Sequence, residues 1–286
     1  QKISKKVAQV FCYLAFITFA TSALAGPEPV PVYEDHFSIG AGASYSSAAF
    51  EGLNGYATPM PFFSFRWGNL FGYNQHDQPT IGWELFQHKR IILAVAATRG
   101  RTFLDISEIN LDKDFLYWGL EDRDQAIEAG FLFRYFSHVG LFEAKVFHDV
   151  VSAYGGTRST ISISRPFPDT GNWSVVPRLF INHYSEKFNK YYFGITAEET
   201  EAALVIARAE RNPTDAAIYA SQTRPTYVPG NSAHYGVDLS LEYNFTESLK
   251  GIGYIGIETF TGPTETSALI EDKELVTTSL GVRYAF

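Results

Sequence analysis

The sequence predicts an all-β protein: an antiparallel transmembrane β-barrel of about 12 strands, with a short helix in one long loop. Three observations carry this. Segments of alternating apolar and polar residues recur along the chain, and aromatic residues make up 16% of it, with 24 Phe and 17 Tyr. No stretch after residue 25 approaches the ~18 consecutive apolar residues of a membrane helix.

The N-terminal segment sets the compartment. Lys2, Lys5 and Lys6 precede an apolar stretch from Val7 to Ala20, and Ala23-Leu24-Ala25 offers small residues at the two positions a signal peptidase reads, Ala23 and Ala25. This predicts a signal peptide over 1–25 and a single barrel domain over 26–286. The apolar stretch, about 14 residues, is too short for an anchor, since a helix needs ~20 to cross the hydrocarbon. Cys12, the only cysteine, lies inside the signal without the small residues that precede a lipidated cysteine. The mature chain therefore has no disulfide or thiol chemistry, which suits passage through an oxidising periplasm. Loss of the three lysines leaves 20 basic residues against 31 acidic ones, a net charge of −11. So acidic a chain is a poor partner for nucleic acid, whose binding draws on counterion release from phosphates.

The strands follow in order. Phe37, Ile39, Ala41, Ala43 and Tyr45 line one face of the first. Phe63, Phe65 and Trp67 stand opposite Ser64 and Arg66, and Ile81, Trp83 and Leu85 opposite Gly82 and Glu84. Residues 91–98 form a weaker strand. Over 127–135, Ile127, Ala129, Phe131, Phe133 and Tyr135 alternate with Glu128, Gly130, Leu132 and Arg134; then Phe142, Ala144 and Val146 alternate with Glu143, Lys145 and Phe147. Ile161 and Ile163 mark another. Val175, Leu179 and Ile181 oppose Arg178 and Asn182 in 173–184, a strand weakened by Pro177, which lacks a backbone donor. Residues 189–196 read as the ninth strand. The cleanest pair comes late: Tyr235 to Phe245 at odd numbers against Gly236, Asp238, Ser240, Glu242 and Asn244, and Val276 to Phe286 at even numbers against Thr277, Ser279, Gly281, Arg283 and Ala285. Residues 251–259 lie between them. An even count is the rule for a bacterial single-chain barrel.

Counting back from Phe286 with both termini in the periplasm puts 246–250 in a short inner turn, and 260–274 and 197–231 outside. The last of these holds a helix signal: Thr196 and Glu199 form a capping box, Glu198 sits in the first turn, Arg208 and Arg211 near the end, and Pro213 stops it. Residues 99–123 are a comparably long connection.

The final strand separates a barrel from a soluble sandwich, which alternates too. Outer-membrane chains commonly end on an aromatic read by the assembly machinery, and Val282, Tyr284 and Phe286 fit such a signal. In a barrel the aromatics also have two homes, the apolar band and the interfacial girdles. The expected setting is the outer membrane of a Gram-negative cell, with the lipid bilayer and lipopolysaccharide as surroundings.

Little in the chain points to catalysis. Ser232 and His234 share a strand face, but no third group to orient the base is evident. His148 and Asp149, as strand neighbours, point to opposite faces. The seven histidines lack ligand spacing, and phosphate-loop and dinucleotide motifs are absent, so no catalytic residue, metal or cofactor is assigned. The inward charges say more: Arg66, Glu84, Arg134, Glu143, Lys145, Arg178, Asp238, Glu242 and Arg283 are the lumen candidates. They either pair across a narrow interior and stiffen it, or set the selectivity of a small pore.

Several stretches resemble the MipA/OmpV family of outer-membrane proteins, the MltA-interacting proteins. They are "FSIGAGASY" at 37–45, "GLEDRDQAIEAGFLFRY" at 119–135, "YYFGITAEETEA" at 191–202, "YVPGNSAHYGVDLSLEYNFT" at 227–246 and the terminal "LGVRYAF". The resemblance implies a barrel, and for some members a non-enzymatic scaffold that brings a lytic transglycosylase together with a peptidoglycan synthase. A small-solute channel and a surface adhesin are the alternatives. No catalytic motif of the family is carried over.

Overall fold

The computed structural model describes residues 31–286 apart from 52, 76, 77, 102, 105–116, 169, 170 and 210–223. The expected signal segment, Arg211 and Pro213 lie outside the described residues. Twelve antiparallel strands close into one barrel: β1 (His36–Ser46), β2 (Tyr56–Trp67), β3 (Leu70–Gln75), β4 (Gln78–His88), β5 (Ile91–Arg99), β6 (Ile127–Ser137), β7 (Gly140–Asp149), β8 (Thr157–Ser164), β9 (Trp173–Tyr184), β10 (Ser232–Asn244), β11 (Leu249–Thr259) and β12 (Glu274–Ala285). Each strand pairs with its sequence neighbours, and β12 closes on β1 from Ser38↔Ala285 to Ser46↔Thr277. Closure leaves no free edge, so every strand's backbone groups face a partner.

The period-2 pattern sorts the side chains by wall. Even positions of β12 from Leu280 onward face outward and are exposed, Leu280 at 74%, while inward Leu275 is 6% exposed. Ile81, Trp83 and Leu85 of β4, and Phe131, Phe133 and Tyr135 of β6, are likewise exposed apolar groups. At the Glu84/Phe86 bulge the register shifts, which leaves Leu85 and Phe86 both exposed. Pro177 is tolerated in β9 because β8 has already ended beside it. Its carbonyl accepts from Arg165 N–H at 3.3 Å, one residue beyond Ser164, so its missing donor faces a loop rather than a ladder.

The strand total agrees with the sequence expectation, but through two compensating differences. β3 was not anticipated: its aromatics, Phe71 and Tyr73, are on the inner face, opposite Arg66 and Ser64 of β2, so the usual apolar-out pattern is inverted. Conversely, 189–196 is not a strand. Its first half ends a helix, α1 (Glu186–Phe193), capped by the Ser185 hydroxyl, which accepts from Phe188 N–H, with Glu186 in the first turn. The Tyr191-Tyr192-Phe193 run looks like a strand only because this short helix is buried on several sides, at Phe188, Asn189, Tyr192 and Phe193.

A second helix, α2 (Ala197–Ala209), has the predicted capping box. Thr196 N–H donates to Glu199 Oε2 at 2.8 Å, and Glu199 N–H donates to Thr196 Oγ1 at 3.1 Å. Connections at one end of the barrel are short (68–69, 89–90, 138–139, 165–172 and 245–248), and the start of β1 and the end of β12 lie there. The opposite end carries the long ones: 47–55, 100–126, 150–156, 185–231 and 260–273. The largest core is at this second end.

Candidate functional site

The long-loop mouth is filled by side chains. Phe188, Tyr192 and Phe193 of α1 are at most 1% exposed, and they pack with Tyr184, Phe260, Leu104, Tyr117, Leu269 and Leu275. Phe103 lies among five rings, with centroid separations of 5.2 Å to Phe193, 5.6 Å to Tyr192, 5.9 Å to Phe188, 6.2 Å to Phe260 and 6.3 Å to Tyr184. Edge-to-face packing of this kind adds ~0.5–1.5 kcal/mol per pair beyond area burial. The plug is therefore a buried aromatic cluster set in the end of the barrel. α2 lies beside it, with Ala203 and Ala207 against Trp118, and Arg123 pairs with Glu199 at 2.6 Å. Although burial opposes ionisation of Glu199, the Thr196 and Glu121 N–H groups and the Arg123 guanidinium hold its carboxyl below the usual carboxylate range.

A buried polar network fastens the plug to the wall. Asn189 Nδ2 of α1 donates to Ser232 Oγ at 2.9 Å, and Thr264 Oγ1 donates to the same oxygen at 3.0 Å. Ser232 Oγ lies 3.1 Å from His234 Nε2, and His234 Nδ1 lies 3.3 Å from Glu258 Oε1. A carboxylate thus stands behind the Ser-His pair, a third group that β10 alone could not reveal because Glu258 is on β11. The arrangement is nevertheless built for fastening. Nδ1 is outside hydrogen-bond geometry to the carboxylate. His234 is fully buried between the Tyr184 and Phe260 rings at 4.6 and 4.8 Å, and Ser232 is saturated by its neighbours. Glu258 is held instead by Arg101 at 2.8 Å and by Asn182 and Tyr184 at 3.0 Å each.

Below the plug the inner wall is lined by ion pairs within and between nearby strands. Arg66 grips Glu84 with two hydrogen bonds of 3.1 and 2.5 Å, both side chains being buried. Glu143 accepts from Arg134 at 2.7 Å and lies 2.6 Å from Lys145 Nζ. Arg178 gives Nε and Nη2 to Asp238 Oδ2 at 2.8 and 2.6 Å, and Glu242 receives Lys250 at 2.7 Å together with Arg283. All nine of the charged residues singled out in the sequence are thus in ion pairs on the inner wall. Sequence reasoning missed five others: Lys250 of β11, Glu128 and Arg158, paired at 2.6 Å, and Arg101 and Glu258, whose partners come from distant strands or loops. Among the described residues no three of His, Cys, Asp and Glu are grouped to hold a metal.

One side of the lumen is packed solid. Phe71, Ala94, Ala96, Leu132 and Phe147 form an apolar cluster, and Phe62 lies over Gly42 and Gly281, where an added Cβ would come within 2.7 Å of the ring or closer. The other side keeps a chamber of about 350 Å³, bounded by Tyr184, Arg101 and Glu258 toward the plug and by Leu141 and Ser164 toward the short-turn end. At the closing seam, Val282, Tyr284 and Phe286 face outward; Phe286 N–H bonds Phe37 O at 3.0 Å, and its ring lies 5.0 Å from Tyr284 and 5.5 Å from Phe37.

Comparison with known proteins finds a family and several similar proteins. The family model described as "MltA-interacting protein MipA" matches residues 39–286. YiaT of Escherichia coli strain K12, described as a candidate outer membrane protein, is 28% identical over 163 residues, 57% of this chain and 63% of the relative. The match therefore spans less than two thirds of that relative. Among solved structures, the NanC porin aligns over 86% of this chain and 98% of its own at 8% identity with a TM-score of 0.41. The translocator domain of the autotransporter NalP from Neisseria meningitidis aligns over 99% and 98% at 9% identity, also with a TM-score of 0.41.

Proposed function

The chain belongs to the MltA-interacting protein MipA family of outer-membrane barrels, and from that premise we propose that it is a plugged, non-enzymatic platform for periplasmic cell-wall enzymes. The observation that most supports this is the mouth: a porin needs an open one, and here it is occupied by a buried aromatic core tied to β10 and β11. A barrel so filled works through its surface. In this reading the short-turn end faces the periplasm and docks a lytic transglycosylase, the kind of enzyme for which the family is named, and through it a peptidoglycan synthase. The longest turn there, 165–172, is the natural docking element. Supporting the non-enzymatic part, the Ser232 hydroxyl and His234 are consumed in holding α1. Val282, Tyr284 and Phe286 serve as the assembly signal, exposed on the final strand where assembly machinery can read them.

The test is retention of purified MltA-type transglycosylase on the folded barrel in detergent. Retention is expected with the native barrel and should be lost when 165–172 is replaced by a two-residue turn. Failure of the native barrel to retain the enzyme, with an open-pore conductance instead, would favour the small-solute channel.

A further inference from the structure

We propose that the lumen chamber is a binding site for small organic anions that carry more than one oxyanion group. The carboxylates and the cations that line it are not equally presented. Arg101, Arg134, Lys145 and Arg178 keep 26, 20, 20 and 23% of their side chains exposed, whereas their partners Glu258, Glu143 and Asp238 keep 5, 11 and 1%. All four cations line the chamber, and three stand on inner strand faces of a closed wall, so what they expose they expose to the lumen. The carboxylates are therefore the more covered partners, and guanidinium and ammonium groups present most of the charge exposed to the chamber, among neutral side chains such as Tyr73, Ser162 and Ser240.

The stoichiometry points the same way. Glu143 is shared by two cations, Arg134 and Lys145. Around the chamber five cations, counting Arg158, stand against Glu128, Glu143, Asp238 and Glu258, which leaves one positive charge in excess. Donors are also left over. Arg178 spends Nε and Nη2 on a single oxygen of Asp238, and Arg134 uses Nε for Glu143 and Nη2 for a long 3.5 Å contact with the Tyr73 hydroxyl. Among the described residues the Nη1 of each has no hydrogen-bond partner. A planar guanidinium with a free edge is suited to carboxylate or phosphate. Arg134, Lys145 and Arg178 stand on one arc of the wall, β6 to β9, while Arg101 reaches Glu258 of β11 and Thr277 of β12, so cations face the space from two directions, which favours a ligand with oxyanions on more than one side. About 350 Å³ is within the usual range of small-molecule sites, ~300–1,000 Å³. The proposal does not depend on the scaffold reading, because a plugged barrel and an open one would both hold this chamber.

The test uses the full chain folded in detergent, with titration calorimetry against citrate, inorganic pyrophosphate and glucose. Saturable binding of citrate or pyrophosphate, without binding of glucose, is expected, and the stronger of the two arms identifies the oxyanion. Lys145→Gln leaves Glu143 its Arg134 partner, and the double change Arg178→Gln with Asp238→Asn removes a pair without stranding a charge. Each should weaken binding at least tenfold while the heat-shifted folded band is kept. Absence of saturable anion binding, equal binding of glucose, or anion binding unchanged in both folded variants would overturn the proposal. None of these outcomes bears on transglycosylase retention, so the two readings fail separately.

Discussion

Substituting Leu280 by Arg measures how strictly the wall is divided into two faces. Leu280 is near the middle of β12 (Glu274–Ala285) and is 74% exposed on the outer wall. At a rise of ~3.4 Å per residue and a tilt of ~40°, a strand of this length spans roughly 30 Å, so Leu280 lies close to the centre of the ~25 Å apolar band. An Arg there costs ~2–4 kcal/mol. That is roughly a 30- to 700-fold fall in the folding equilibrium, at ~1.4 kcal/mol per factor of ten. Ser279, one residue away, faces the lumen opposite Ser44 and Tyr254. Ser279→Arg leaves its charge in a polar interior, so its cost should be clearly smaller. Urea titration of the heat-shifted band in lipid vesicles gives both equilibria. Equal midpoints, or a Ser279→Arg midpoint below that of Leu280→Arg, would refute the assignment of faces.

Further outcomes follow from individual contacts. Glu84→Ala leaves Arg66 buried without its carboxylate and should destabilise the barrel by ~3–5 kcal/mol, whereas Arg66→Met with Glu84→Leu should be close to neutral, both read by urea unfolding. Phe188→Ala removes a buried ring from the plug, at a cost of ~3–5 kcal/mol; hydrogen exchange should rise in α1 and Phe103 while the strands stay protected. Because the Glu199 carboxyl is held below its ordinary value, its stabilisation of α2 is complete above the unfolded carboxylate pKa and fades as pH falls through the folded one. Trp118, packed on Ala203 and Ala207, should therefore change its fluorescence in acid, and Glu199→Gln should remove most of that change.

How much of this was legible in the sequence depended on whether a residue's partner was local. The faces of β10 and β12 could be read directly, since alternation is a property of one strand and the lumen here is polar. The Thr196/Glu199 capping box was legible for the same reason: both partners lie within one turn. β3 was hidden because Phe71 and Tyr73 face inward, where Gly82 leaves room for the Phe71 ring. α1 was hidden because tertiary burial of Tyr192 and Phe193 erased the polar face that marks a surface helix. The Ser185 cap and Gly194 stop were the signals available. The plug and the chamber depend on residues such as Phe103, Arg101 and Glu258, which meet across 150 residues or more of sequence or through a loop. Only closure of the barrel brings them together.

The most direct measurement is the single-channel conductance of the purified barrel in a planar bilayer, native and with α1 (Glu186–Phe193) replaced by a short Gly/Ser linker. A mouth closed by the aromatic plug predicts that the native barrel shows no stepwise conductance and that removal of α1 produces it in a still heat-shiftable barrel. Porin-like steps from the native barrel, unchanged when α1 is removed, would contradict it.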